Sequence, residues 1–122
     1  MAFDWREYLE IAKYLAGLQS LDFSQEASYR CAVSRAYYAA FCWCRNYAQN
    51  NLGFKPTGRP EDHKHLREHL KKIDGKWARI ASKLNTLREW RNQCDYENDV
   101  EGLSHMLKVS IKFSSEVIEK CR

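Results

Sequence analysis

The chain has 122 residues, 44% of them hydrophobic, with a formal net charge of +4. That length fits one domain, residues 1–122, around one core. The apolar fraction argues against disorder despite a mean hydropathy of -0.68. The longest apolar run, Ala36 to Cys44, spans nine residues and falls short of the roughly 18 a membrane helix needs.

The opening "MAFDWREYLE" places acids and an arginine where a secretory leader needs apolar residues, and a cytoplasmic chain is expected. Five cysteines, an odd number, read as reduced thiols. Cys42 and Cys44 lie in a helical stretch, where their side chains diverge by roughly 200°, so they do not chelate one metal together.

In chain order, residues 4–16 read as a first helix, with Asp4 as N-cap, Glu7 completing a capping box and Phe3 stapling onto Tyr8. Gly17 is its stop. Residues 24–51, capped by Ser24, read as a second helix about 40 Å long. Tyr29, Val33, Ala36, Tyr37, Ala40, Cys44 and Tyr47 form one stripe of it. The segment "AYYAAFCWC" is apolar all round, so this helix is either the centre of a bundle or shared with a second subunit. "NNLGFKPTGRP", residues 50–60, holds both prolines and is a loop.

Residues 61–73 form a short helix that stops near Asp74-Gly75. Residues 76–95 form a longer one, with Trp77, Ile80, Ala81, Leu84, Leu87, Trp90, Arg91 and Cys94 at helical spacing. Asn98 with Glu101 marks a capping box that opens the last helix, which runs to about Lys120. Its inner face is Val100, Leu103, Leu107, Ile111, Ser114 and Ile118. No strand alternation survives. The expected fold is all-α, an antiparallel four-helix bundle plus a short extra helix.

Charge is unevenly placed: residues 61–91 carry nine Lys/Arg against five Asp/Glu, whereas residues 92–122 carry four against six. A basic middle suits an anionic partner such as RNA or nucleotide phosphate; the alternative is a solvated helical face. Near the end of the fourth main stretch, Arg88, Asn92 and Asp95 share one sector, with Arg91 and Asp95 one turn apart. An Arg–Asp pair orients a guanidinium fork that matches phosphate geometry, and Tyr96 adds a phenol able to stack or donate. The alternative is a helix end whose polar residues bond each other. The second helix carries its own polar set, Arg30, Ser34, Tyr38 and Arg45 with Arg35 beside them. Buried members of it need partners, which Asp95 or the carbonyls ending the fourth helix can supply.

"SRAYYAAFCWCRNYA" (34–48) followed by "LREWRNQCDY" (87–96) resembles the HEPN domains, small all-α bundles of prokaryotic toxin–antitoxin and defence systems. The likeness covers nearly the whole chain. It implies a homodimer with arginine-bearing helix ends near the two-fold axis, and in many members a groove that cleaves RNA without a metal. That motif is an arginine, a polar residue and a histidine four to six residues beyond the arginine. Arg91 and Asn92 match its first two positions, while Tyr96 stands where the histidine belongs and none follows until His105.

Histidine, with a pKa of about 6.5, exchanges protons near neutrality; tyrosine, at about 10, is a poor base there. Two readings follow. One is a dimeric HEPN-like protein that binds RNA, nucleotide or a partner around Arg91. The other is a metal-independent RNase toxin in which Arg91, Asn92 and Tyr96 act, or a histidine is brought across the dimer. Arg88, Asp95, Ser34, Arg35 and Tyr38 form the ligand-binding set in either case. A nucleotidyltransferase-type antitoxin is a further partner the resemblance implies.

Arg59 and His65 repeat the arginine-to-histidine spacing but straddle Pro60, so no single helix face presents both. His65 and His69, with His63 nearby, are one turn apart but lack a completing ligand and read as a solvated face. No cofactor and no metal is expected.

Overall fold

A computed structural model describes residues 3–19 and 22–122. Among the described residues there are five helices and no strand: α1 (Arg6–Gly17), α2 (Gln25–Asn51), α3 (Asp62–Lys71), α4 (Gly75–Tyr96) and α5 (Leu103–Lys120). The all-α bundle expected from periodicity is what forms. None of these helices is long and apolar enough to cross a membrane.

Contacts fix the directions of the helices. Ser28 of α2 donates to the Leu15 carbonyl while Arg6 lies over Trp43, so α1 and α2 run antiparallel. The α2–α4 pair is antiparallel too: Ser34 meets Asp95 at the end of α4, and Tyr47 stacks on Trp77 near its start. Helix α5 returns alongside α4, with Lys83 paired to Glu116 and Trp90 stacked on Phe113.

Helix α2 is the centre of the bundle, packed on α1, α4 and α5 and touching α3. That resolves the all-round apolarity of Ala36 to Cys44, of which only Tyr38 and Trp43 are not buried. Tyr37, Leu66, Leu70, Leu84 and Leu87 are its main large buried neighbours and companions in the core.

The caps divide. Ser24 accepts from the Ala27 amide at 3.1 Å and Phe3 sits edge-on to Tyr8, both as expected. Asp4 instead precedes a helix that begins at Arg6. Its carboxylate takes the Arg6 amide and, in a fork, the Arg6 guanidinium at 2.9 and 3.0 Å, so the Glu7 capping box does not form. The Asn98–Glu101 box is also absent: α5 opens at Leu103 behind Gly102, whose φ of 66° suits a residue without Cβ. Val100 thus lies before the helix, and the buried face of α5 adds Met106, Ser110 and Val117 to the residues read from its spacing. Asp74, read as part of a stop, caps α4 by accepting from the Trp77 amide at 2.9 Å.

Candidate functional site

The end of α4 carries the arginines because its apolar stripe turns polar in the last two turns while still facing α2. Arg91 lies over that apolar segment, its guanidinium carbon 5.6 Å and 5.2 Å from the ring centroids of Tyr37 and Tyr38. Its side chain is 12% exposed, with Nη1 3.7 Å from Asp95 Oδ2. Its Nε is buried and has no hydrogen-bond partner. A buried charged donor without an acceptor among the described residues is costly.

The polar seam expected between α2 and α4 forms. Ser34 donates to Asp95 Oδ2 and accepts from Arg35 Nη2, both at 3.4 Å. Arg35 also covers the rings of Tyr8 and Tyr38. Arg30 has a separate duty: it donates to the carbonyls of Cys94, Glu97 and Asn98 at 2.6 to 3.1 Å, tying down the end of α4.

His63, which the sequence assigns with His65 and His69 to a solvated face, is instead packed into the site against Phe41 and Tyr37. Asp62 opens α3 and accepts from the amides of Thr57 and Gly58 and the Thr57 hydroxyl, at 2.7 to 3.0 Å. Burial pushes its carboxyl up, but those bonds outweigh it and hold the pKa below the usual range. The loop so fixed swings the start of α3 against α2. There the His63 ring stacks on Phe41 at 3.9 Å, nearly parallel, and its Nδ1 is hydrogen-bonded to the Tyr37 hydroxyl. Burial, then the charges of Arg91, Arg88 and Arg67, drive the His63 pKa down to about 4. The available signal was Tyr37, a buried phenol on the α2 stripe that required a partner.

Two adjoining pockets form a groove over the Phe41–His63 stack. The larger, about 480 Å³, is lined by Arg59, Arg88, Arg91 and Tyr96 among others. The smaller, about 390 Å³, includes Trp5, Tyr8 and Arg35, and Tyr38, Phe41, Arg45 and His63 line both. Five arginines therefore face one groove whose only lining carboxylate is Asp62. Tyr96 is 76% exposed at its rim. Asn92 is half-buried and lines neither pocket, nor do buried Ser34 and exposed Asp95, which acts as a support by holding Ser34 and Arg91.

Arg59 joins the groove without His65, which lines a different pocket beside Phe54 and His69. His69 bonds the Leu52 carbonyl at 2.7 Å. Among the described residues no three of His, Cys, Asp or Glu gather as a metal set. Cys42 opens on the smaller pocket whereas Cys44 faces Cys121 in the core, the divergence expected of their spacing.

The fold and site together define an all-α bundle with an arginine-rich, aromatic-lined groove. No family model matches the chain, and no solved structure matches it. The chain is 28% identical to MJ0628, an uncharacterized protein of Methanocaldococcus jannaschii, over 123 residues that cover 90% of this chain and 73% of that protein. It is 29% identical to a second uncharacterized protein of the same organism, MJ0992, over 133 residues covering 97% and 73%. The likeness to both thus extends through almost the whole bundle.

Proposed function

We propose that this chain is a HEPN-like dimeric protein of a toxin–antitoxin or defence system that binds RNA or a nucleotide in the groove around Arg91. The observation that carries the reading is the lining itself: five arginines and several aromatic rings against one carboxylate. Guanidinium groups bind phosphate in forked pairs, and exposed aromatic faces stack bases.

Fluorescence anisotropy with labelled single-stranded RNA and with labelled ATP, at about 50 mM and about 200 mM salt, tests it. Binding that weakens with salt and with Arg88→Ala is expected. No binding of either probe at the lower salt removes the nucleic-acid reading and leaves a protein-docking surface, such as one for a nucleotidyltransferase-type antitoxin.

A metal-independent RNase is the second reading, favoured by the imidazole that His63 places beside Arg91 to orient a phosphodiester, with proton transfer falling to Tyr96 or a histidine brought across the dimer. Growth arrest on expression, relieved by Arg91→Ala and accompanied by RNA fragments ending in cyclic phosphate, is the outcome this reading requires.

A further inference from the structure

The hydrogen bond between Tyr37 and His63 has only one workable direction. Tyr37 is completely buried, and among the described residues its hydroxyl has no partner except His63 Nδ1. A phenol owns a single proton, and a buried hydroxyl that fails to donate it loses a full hydrogen bond. Burial also raises the Tyr37 pKa well above the ordinary tyrosine value, so the proton stays on the phenol. Tyr37 therefore donates and Nδ1 accepts, which places the hydrogen of the neutral imidazole on Nε2. That atom has no hydrogen-bond partner among the described residues and is not among the buried unsatisfied ones, and the ring lines both pockets. The groove thus has a neutral, directional N–H donor at its midpoint, with arginines to either side.

Each pocket is within the 300–1,000 Å³ typical of small-ligand sites. Each has its own aromatic surface, Tyr96 in one and Trp5 in the other, and its own cation, Arg88 in one and, in the other, Arg35, which lies over Tyr8. The shared floor is the Phe41–His63 stack. This is the layout of two adjoining nucleotide sites rather than one large site.

We propose that the groove holds two consecutive nucleotides of single-stranded RNA, one in each pocket, and that His63 Nε2–H donates to the phosphodiester that links them. The proposal rests on the nucleic-acid reading above. In this tautomer no lone pair faces the groove, so His63 positions the strand and does not abstract a proton from it.

Titration of the full chain with AMP and with 5'-phosphorylated adenylyl-adenosine, which differ by one nucleotide and one phosphodiester, tests the footprint. The dinucleotide is expected to bind about tenfold tighter or more, as one further stacked base would give. Arg35→Ala and His63→Ala are each expected to reduce that ratio to about one, with thermal melts confirming that both variants fold. Nitrogen-15 spectra of the unaltered protein supply a readout independent of any variant: the free His63 ring should be the Nε2–H tautomer, and its Nε2 signal should move when the dinucleotide binds. Equal affinities for the two probes, or an Nδ1–H tautomer, overturn the proposal while leaving the Arg91 groove as a nucleotide site. Failure of both probes to bind at low salt overturns the proposal and the nucleic-acid reading together.

Discussion

Burial and three nearby cations act on His63 in the same direction. Water that would stabilise an imidazolium is partly stripped away, and Arg91, Arg88 and Arg67 repel the charge, while only Asp62 favours it. The Tyr37 hydroxyl on its other side occupies Nδ1. The folded ring therefore resists protonation down to about pH 4, whereas an unfolded histidine protonates below about 6.5. Above both values neither state takes the proton and the contribution to stability is complete. As pH falls from about 6.5 toward 4, the unfolded chain gains a proton first and stability declines. Urea midpoints at about pH 7.5 and about pH 5 should drop further for the unaltered protein than for His63→Gln, whose side chain does not titrate. Equal drops would mean that the ring is solvated in the folded state.

Arg91 belongs to the same scale. Its fork lies over two tyrosine rings with one edge turned to Asp95, a planar arrangement that lysine does not reproduce. Arg91→Ala is expected to weaken RNA binding by about tenfold or more, and Arg91→Lys to recover little of it, as one lost charged bond to phosphate implies. Anisotropy titrations of melt-checked variants give the comparison. Full recovery by lysine would reduce Arg91 to a point charge.

At the scale of elements, the caps decide where helices begin. Asp74 accepts from the Trp77 amide at the start of α4, the helix that later presents Arg88 and Arg91. Asp74→Ala should cost about 1 kcal/mol of stability, measurable by urea denaturation, with Asp74→Ser recovering most of it. Local rules of this kind were legible in the sequence: Ser24, the α2 stripe and the α4 stripe all stand where spacing put them.

The rules failed where a stronger partner competed. Arg6 claims the Asp4 carboxylate with charge-assisted bonds that outweigh a cap to a neutral amide. Arg30 draws the Asn98 carbonyl toward α2, and Gly102 supplies the left-handed turn, so α5 starts later than Asn98 and Glu101 promised. The candidate site was half legible for the same reason. Arg88, Arg91 and Tyr96 share one stretch of chain, and buried Ser34 finds its partner in Asp95 at the exposed end of α4. His63 reaches Tyr37 across 26 residues of sequence, a contact that helical periodicity does not encode.

Across the whole molecule, the uneven charge of the sequence becomes a spatial separation. The acidic excess of residues 92–122 is carried by the α4–α5 connection, where Glu97, Asp99 and Glu101 stand with no Lys or Arg among them, and no residue of that connection lines either pocket. The groove collects arginines from three parts of the chain: Arg35 and Arg45 on α2, Arg59 in the loop before α3, and Arg88 and Arg91 on α4. Arg91 is partly neutralised by Asp95, so about three to five phosphate charges can be met. For single strands each neutralised phosphate contributes roughly 0.7 to the slope of log affinity against log salt, giving an expected slope of about -2 to -3.5. Arg59→Ala, at an exposed position away from the packed core, should make that slope shallower by about 0.7 without altering the melting temperature. A slope near zero would show that whatever occupies the groove is held by its rings and not by its charge, and a phosphate-bearing ligand would no longer fit the five guanidinium groups that line it.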